Sequence, residues 1–442
     1  MAAQNTQGWD LIAAITQQSL NSLIASAFTN GDIPSSFSEP ITLPFVKEQA
    51  TVGVTIGAPT IDLNPQQAQG QSGMVGITFQ MIDGTISIPN QQTITIPEGT
   101  LEVVTDLTYV TLDFSGGNTE TLSVDFTSQL AIFSVIITNP NWDQSMTSVV
   151  EAAMKIGLQA LAKGSLALGS VNVPTQAAPL APVGQSDFAI QLNSDPNLNT
   201  LMLLMTTPSG TAPTGPGATD FSNAPPIIPA GQQAALYISN RVLIQELIVP
   251  QLATSLQLQA SAFTIQGSAT TPYTATFSGD QSISGSFDPE LINLAVSVNG
   301  SQQIQSAYTV YAHPVFNAGQ TYYVEVDGDL FVNIVLNGQT ISFNTSSNTA
   351  SGSVHASVLG WAIVIAAIIA SFGTLAYFIG TVLAVVVPIV LTVLSFPVTI
   401  PPATLTQINN GLGSFTWPAQ TNFPLSSIQL PGDLIFFGDP TA

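Results

Sequence analysis

The longest charge-free stretch of this chain limits its fold more than any other feature. No Asp, Glu, Lys or Arg occurs between Asp329 and Asp433, and residues 358–396 within that stretch are almost continuously apolar. About 20 consecutive apolar residues are enough to cross a bilayer. Membrane spans are normally flanked by Lys or Arg, and this run has neither at its ends. The sequence favours a helix that the chain's own β-structure buries along an apolar tunnel, and a membrane-inserting segment is the alternative.

The scarcity of charge excludes several classes of function. Charged residues make up 7% of the 442 residues, and the formal net charge is −22. The basic residues are Lys47, Lys155, Lys163 and Arg241. Nucleic-acid binding requires clustered Lys and Arg that neutralise phosphates, so it is excluded. A purely electrostatic hold on an anionic membrane is disfavoured for the same reason. With no cysteine, disulfides and thiolate chemistry are excluded as well.

The hydrophobic pattern alternates between helical and strand-like segments. Residues 9–28 carry apolar side chains at three- and four-residue spacing up to Gly31, which predicts a helix. Period-two alternation predicts strands from about 40 to 138, including long ones at 101–114 and 122–137. Long antiparallel strands with one polar face are typical of a strongly curved sheet.

The rest of the chain follows the same plan of helices and strands. Helical spacing predicts helices at 141–168 and 232–258, the latter kinked at Pro250. Between them, residues 206–230 are rich in Pro, Gly, Ser and Thr and are interpreted as a linker. Strands follow again before the apolar run. The order of elements predicts one α+β arrangement used twice.

Three dipeptides predict tight turns. Asp83-Gly84, Asp327-Gly328 and Asn337-Gly338 stand between alternating runs, and such pairs favour the type I′ turns of hairpins. The acidic run from Glu325 to Asp329 resembles half of a calcium loop, but Leu336 stands where a bidentate acid is needed. We therefore predict a hairpin with solvated carboxylates and no metal site.

No motif for catalysis is present. His313 and His355 are the only histidines, and neither has the helical partner of a zinc-binding pair. The nucleophile elbow of hydrolases and the phosphate-binding loop are both missing. The 26 acids are interpreted as solubilising surface groups. The chain is expected to be non-enzymatic and to use no cofactor.

Short motifs at the two ends of the chain carry a family resemblance. The N-terminus has Asn5-Thr6-Gln7-Gly8-Trp9-Asp10-Leu11, with Leu20-Asn21 on the helix that follows. The C-terminal part has Phe415-Thr416-Trp417-Pro418, Asn422-Phe423-Pro424-Leu425 and Ile428-Gln429-Leu430-Pro431-Gly432-Asp433-Leu434. These motifs and the chain length resemble the clostridial P47 and OrfX proteins, which are encoded beside botulinum-type neurotoxins and belong to the tubular lipid-binding (TULIP) superfamily.

The resemblance implies an α+β fold with two TULIP-like domains, each a long helix wrapped by a highly curved antiparallel sheet. On this chain the domains would span residues 1–205 and 231–442, joined by the linker 206–230. The second domain would contain the apolar helix, at 356–396. The C-terminal motifs would form the closing strands. No enzymatic site is carried over from the family.

Lipid or another apolar ligand is the partner that the resemblance and the apolar run together imply. We expect the tunnel wall to draw on one set of side chains, namely Ile363, Ile365, Ile369, Phe372, Phe378, Val382 and Val386. A phosphoinositide headgroup would require more Lys and Arg than this chain has. The alternatives are a membrane-inserting toxin component with transient membrane contact, and an accessory factor that binds a protein of a toxin complex without lipid.

The location of the protein is left open by its sequence. Residues 1–10 contain no basic region ahead of the apolar stretch, so they do not have the pattern of a secretory signal peptide. Release by a non-classical route is therefore the hypothesis if the protein leaves the cell.

Overall fold

The computed structural model describes residues 6–42, 49–66, 73–114, 117–161, 166–174, 180–214, 218–313, 322–337, 340–356, 375–394 and 415–440. The chain divides into two compact units. Unit 1 comprises Met1–Asp10, Tyr237–Asn409 and Ser427–Phe436. Unit 2 comprises Leu11–Leu236, Asn410–Ser426 and Phe437–Ala442. Separate folding of 1–205 and 231–442 stays a prediction.

Most of the described residues are in β-strands. In chain order the first thirteen strands are β1 Leu11–Thr16, β2 Ser36–Thr42, β3 Gln49–Ile56, β4 Thr60–Asp62, β5 Met74–Ser87, β6 Ile94–Ile96, β7 Gly99–Phe114, β8 Gly117–Val124, β9 Ile132–Ile136, β10 Ala167–Pro174, β11 Val183–Gln191, β12 Thr200–Thr206 and β13 Ala234–Ile238. The remaining strands are β14 Thr264–Ser268, β15 Thr271–Ser282, β16 Glu290–Val298, β17 Ile304–Ala312, β18 Tyr322–Asn337, β19 Thr340–Ala356, β20 Phe415–Thr416, β21 Leu425–Gln429 and β22 Leu434–Gly438.

The helices are few. They are α1 Gln17–Asn30, α2 Thr147–Ala160, α3 Asn240–Val242, the π-helix Leu243–Ile248, α4 Val249–Ser255 and α5 Leu375–Leu394, with short 3₁₀ turns at Gln144–Met146, Pro196–Leu198 and Ala260–Ala262. The π-helix ends two residues before Pro250, which has no backbone N–H to donate a helical hydrogen bond. The prediction of a β-rich chain with few helices is confirmed.

The strands form three sheets. One has the order β11-β12-β1-β13-β22-β21, and another has the order β2-β3-β5-β7-β8-β10-β20 with β4, β6 and β9 paired beside it. The third, β14-β15-β16-β17-β18-β19, is a meander of sequential antiparallel neighbours. A curled antiparallel sheet of this kind is what the sequence predicts.

The prediction of one helix over 9–28 is wrong at its start. Leu11–Thr16 is a strand whose six residues are all buried, and it lies between β12 and β13. A short strand buried on both faces has no alternating pattern, so its apolar run cannot be told from a helix. The helical part is confirmed as α1, which Thr16 caps at its first turn and Gly31, at φ 85°, ends.

Two of the three predicted hairpin turns are wrong. Asp83-Gly84 lies inside β5, and Asp327-Gly328 lies inside β18. A Cβ on Gly84 would stand 2.6 Å from the carbonyl oxygen of Gly53 on β3, so this glycine allows strands to approach closely rather than turn. At the third site, Asn337 pairs with Thr340 as a two-residue hairpin requires.

The predicted strand 122–137 is two strands. β8 ends at Val124, and the Asp125 carboxylate then accepts hydrogen bonds from the backbone N–H and the hydroxyl of Thr127, at 2.9 and 2.6 Å. An aspartate that bonds the backbone two residues on makes a turn, and β9 begins only at Ile132. The long strand predicted at 101–114 is confirmed as β7.

The segment 206–230 belongs to unit 2 and packs within it. Residues 207–214 and 218–230 hold no helix or strand, but Phe221 and Ile227 are buried. The side-chain amide of Gln191 donates to the carbonyl of Phe221 at 3.0 Å and accepts from the N–H of Ile227 at 2.8 Å. One buried glutamine thus fixes this loop, and its role as a linker stays a prediction.

Helix α2 crosses β2 at a glycine. A Cβ on Gly157 would stand 2.9 Å from the ring of Phe37. We predict that Gly157→Ala lowers the free energy of unfolding by about 1–3 kcal/mol through overpacking, although alanine favours helices. Gly380→Ala in α5 is the control, because nothing lies within 4 Å of that position. It should raise stability by about 0.5–1 kcal/mol. Thermal denaturation of both variants checks the signs, and equal shifts would contradict this packing.

Candidate functional site

The inner face of the β14–β19 sheet in unit 1 is a continuous aliphatic surface. Residues of β17 alternate between buried and partly exposed along the whole strand, as expected for a sheet covered on one face. The buried side chains of the neighbouring strands continue this surface. They are Ala275, Phe277, Leu291, Leu294, Val296, Val298, Val324, Val326, Leu330 and Val332.

Helix α5 lies on this inner face. Its fully buried side chains recur every fourth residue, at Val382, Val386, Val390 and Leu394, which places them in one line along the helix. The helix approaches β19 closely at Gly352, where a Cβ would stand 2.9 Å from the side chain of Ile379. The sheet therefore leaves room for the helix by omitting a side chain.

The other faces of α5 are apolar as well, but they are incompletely covered. Large aliphatic residues between the buried positions, such as Leu383, Val387 and Leu391, are only half-buried, and the line opposite the buried one is exposed at Ala384 and Pro388. A helix that is hydrophobic all round is normally enclosed completely. The interior of unit 1 thus offers apolar surface beyond what its own described side chains cover.

The predicted helix 356–396 is described only in part. Residues 357–374 and 395–396 lie outside the described residues, and α5 accounts for 375–394. Within the portion of the chain that is described, no helix combines the length and the apolar character required to cross a membrane.

The predicted tunnel-lining residues are likewise described in part. Ile363, Ile365, Ile369 and Phe372 lie outside the described residues, and only the backbone of Phe378 is described, within α5. Val382 and Val386 belong to the fully buried line of α5. Their role as ligand contacts stays a prediction.

Two hydroxyl groups interrupt the aliphatic surface. Ser306 and Tyr308 are 0% and 3% exposed, and neither side-chain oxygen has a hydrogen-bond partner among the described residues. The ring of Tyr308 lies over Gly328, where an added Cβ would stand 2.4 Å from the phenol oxygen. Burial, with a smaller contribution from Asp329, raises the pKa of Tyr308 to about 12. The phenol is therefore protonated throughout the physiological range and able to donate a hydrogen bond.

A terminal polar cluster, formed by Asp10, Asn240, Arg241 and Asp433, lies elsewhere in unit 1. The Arg241 guanidinium donates to Asp10 Oδ1 from Nε at 3.0 Å and from Nη2 at 2.8 Å. The Asp433 carboxylate accepts from the N–H of Asn240 at 2.8 Å and from the N–H of Thr6 at 3.2 Å. Asp433 is fully buried, and such a carboxylate is stable only when it is hydrogen-bonded in this way.

This cluster brings the two end motifs together. Asp10 belongs to the N-terminal motif and Asp433 to the C-terminal one, and both meet the start of α3. Asn240 also donates from its side chain to the carbonyl of Gly432 at 3.0 Å and accepts from the N–H of Tyr273 at 2.6 Å. Sequence reasoning missed Asn240 and Arg241, although Arg241 is one of only four basic residues.

The other motif residues also have structural roles, within unit 2. Asn21 makes two hydrogen bonds with the backbone of Ile61 on β4, at 2.7 and 3.0 Å. Trp417 is buried against Gly169 of β10, where an added Cβ would stand 3.0 Å from its ring. The C-terminal segments form β20, β21 and β22, so the predicted closing strands are confirmed.

The outer face of the β14–β19 sheet carries the acidic run. Because it lies within β18, Asp327 and Asp329 stand on one face instead of in a turn. Asp327 accepts from the Thr309 hydroxyl at 2.7 Å, and Asp329 accepts from the Gln305 amide at 2.9 Å. They border a groove of about 420 Å³ that crosses β15–β18. Among the described residues, no group of three potential metal-binding side chains is present.

Both histidines lie near Tyr323 on this outer face. The Tyr323 ring stacks on His355 at 5.1 Å between centroids and meets His313 edge-on at 6.4 Å. His355 Nε2 lies 3.1 Å from a Glu325 carboxylate oxygen and 3.0 Å from the Ser353 hydroxyl. A catalytic triad uses the two ring nitrogens separately, whereas here both neighbours share one nitrogen.

Comparison with solved structures identifies the class of fold as that of P47. The crystal structure of P47 of Clostridium botulinum E1 aligns with a TM-score of 0.72 at 14% identity, over 98% of this chain and 99% of that chain. P47 from Clostridium botulinum A2 aligns with a TM-score of 0.64 at 15% identity, over 99% and 98%. No protein-family model and no curated protein matches the chain. The predicted resemblance to P47 is thus confirmed in the fold.

We predict that Asp433→Ala destabilises the protein strongly. The change leaves the N–H groups of Thr6 and Asn240 without their acceptor, and each buried unpaired group costs about 1–3 kcal/mol. Chemical denaturation measures the loss. Asp280→Ala, at an exposed position of β15, is the control and should change stability by less than about 0.5 kcal/mol. Similar effects of the two substitutions would show that the terminal polar cluster has no stabilising role.

Proposed function

We propose that this protein binds a lipid or another apolar ligand, held in unit 1 between the inner face of the β14–β19 sheet and helix α5. The observation that carries the proposal is the incomplete cover of α5, whose large aliphatic side chains outside the buried line are only half-buried. A folded chain in water gains free energy when such surface is removed from solvent. A hydrocarbon guest supplies the missing cover.

The chemistry of the interior fits binding by apolar burial rather than by charge. The helix has no charged residue, and most of the buried side chains of β15–β18 on the inner face are aliphatic. Each methylene transferred from water to such a surface contributes about 0.8 kcal/mol. A ligand with a saturated chain therefore obtains most of its affinity from chain length.

The same proposal covers the finer expectations from the sequence. We propose two TULIP-like domains, a non-enzymatic role and, if the protein is exported, a non-classical route. The proposal also includes the accessory role in a toxin complex that the sequence resemblance implies, and transient membrane contact through the apolar helix α5.

A chain-length series tests ligand binding. Delipidated protein is titrated with neutral pyrene-labelled alkanes that differ by one methylene, with fluorescence as the readout. We predict that Kd falls roughly fourfold for each added methylene until the space is filled. Native mass spectrometry of the undelipidated protein should show a bound lipid. Failure of every probe to bind, with no co-purified lipid, would falsify the proposal.

Paired tryptophan substitutions locate the site. Val386→Trp fills space on the buried line of α5 and should reduce alkane binding at least about tenfold, because the guest and the indole compete for the same volume. Ala384→Trp, on the exposed line, is the control. If Val386→Trp does not fold, the isosteric Val386→Thr replaces it and should weaken binding through its buried hydroxyl. If the folded variants at Val386 and Ala384 bind the alkane equally well, the ligand lies elsewhere.

A protein partner is the second candidate function, and a surface of unit 2 favours it. Leu130, Ile132 and Ile136 are 56%, 51% and 43% exposed on or beside β9, and residues 126–142 contain no charged residue. In a chain of net charge −22, an uncharged apolar strand is suited to contact with another protein. Co-purification with products of neighbouring genes, lost on Ile132→Lys and Ile136→Lys, would support this role. Retention after both changes would count against it.

A further inference from the structure

The buried hydroxyls of Ser306 and Tyr308 make no hydrogen bond with any described part of the chain. An unpaired buried hydroxyl destabilises a protein by about 1–3 kcal/mol, and here two occur on one strand. Other buried polar groups of unit 1 are bonded, such as Asn240 and Asp433, while His313 and Ser427, away from the inner face, also have buried side-chain atoms without a partner among the described residues. Groups left unpaired inside a site of apolar binding are positioned to pair with a ligand.

The two hydroxyls lie side by side on the surface that the guest would contact. Alternate residues of a strand face the same side and are separated by roughly 7 Å along it. On the neighbouring strands, Ser306 pairs with Val296 and Leu330, while Tyr308 pairs with Leu294 and Gly328. The hydroxyls are therefore a small polar spot in an aliphatic wall, and the absence of a side chain at Gly328 leaves room for the phenol.

The charges around this spot select the kind of polar group that fits. The negative charge of Asp329 raises the pKa of Tyr308 after the larger effect of burial, and it would repel an anionic headgroup. Lys47 and Lys163 lie outside the described residues, and Lys155 is on α2 in unit 2. Arg241 is bonded to Asp10. Neither hydroxyl has a basic hydrogen-bond partner among the described side chains, so a phosphate or carboxylate is not neutralised here.

We propose, on the basis of the proposed function, that Ser306 and Tyr308 bind the uncharged polar end of a neutral lipid, such as the hydroxyl of a long-chain alcohol or the ester carbonyl of an acylglycerol. Tyr308 donates to the oxygen of that group, and Ser306 donates or accepts according to the ligand. The alkyl chain then lies against the aliphatic rows of β16–β18 and α5. The protein would select neutral lipids over fatty acids and phospholipids that carry net negative charge.

Three probes with the same pyrene-labelled chain test the proposal on delipidated protein at pH 8. They end in a methyl group, a hydroxyl or a carboxylate. The alcohol should bind about threefold to tenfold more tightly than the alkane, as one or two net hydrogen bonds allow. The carboxylate should bind more weakly than the alcohol. Ser306→Ala combined with Tyr308→Phe should bring the ratio of alcohol affinity to alkane affinity close to one.

Tyr311→Phe is the matched control. Tyr311 lies on the same strand but stacks on Tyr323, at 4.1 Å between ring centroids, and its loss should leave the ratio unchanged. The delipidated double variant should have an equal or higher Tm, because unpaired hydroxyls have been removed. A lower Tm with an unchanged ratio would identify a structural role and overturn the proposal.

The remaining outcomes separate this inference from the proposed function. Alkane binding without any preference for the alcohol overturns the role of the two hydroxyls and leaves apolar binding standing. If the carboxylate probe binds most tightly of the three, the neutral-lipid assignment is wrong but the proposed function is not. If none of the probes binds, both the neutral-lipid assignment and the proposed function are wrong.

Discussion

The packing of α5 against the inner face of the β14–β19 sheet is the interaction on which the proposed function of unit 1 depends. One line of side chains, Val382, Val386, Val390 and Leu394, is fully buried, and Gly352 provides the space for close approach. The rest of the helix is equally apolar but less covered. The exposed apolar side chains of such a helix are more stable when another apolar group covers them. A hydrocarbon chain can provide this cover without any charged contact. The proposal of ligand binding rests on this surplus of apolar surface, which the charge-free run in the sequence predicts.

The few charges of the chain complement this arrangement. With 7% charged residues, the protein uses Asp10, Arg241 and Asp433 in unit 1 to join both end motifs to the start of α3. Other acids, such as Asp327 and Asp329, stand on the outer face of the sheet, where they bond neighbouring polar side chains. Charge thus joins the end motifs and solubilises the outer face. Among the described residues of the inner face, the buried side-chain oxygens are the uncharged hydroxyls of Ser306 and Tyr308, which is the basis for proposing an uncharged ligand.

The sequence predicts the fold better than it predicts the site. Alternation over long stretches identifies β7 and the β18–β19 hairpin, and helical spacing identifies α1 and α2. Strand β1 is misread because a strand buried on both faces has no period. Asp83-Gly84 and Asp327-Gly328 are misread because a glycine required for close approach looks the same as a turn glycine. Ser306 and Tyr308 could not be found, since nothing in the sequence shows that a hydroxyl lacks a partner, and the pairing of Asp10 with Arg241 depends on a contact 231 residues away.

Photochemical labelling tests the binding surface most directly. An uncharged alkyl probe carrying a diazirine near the end of its chain is bound to the delipidated protein and irradiated, and the labelled peptides are mapped by mass spectrometry. If the guest lies between the sheet and α5, labels will concentrate on residues 375–394 and on the buried positions of β16–β18, and excess unlabelled alkane will remove them. Labels confined to the outer face of the sheet or to unit 2, or labels that unlabelled alkane does not displace, would contradict a binding site in this interior.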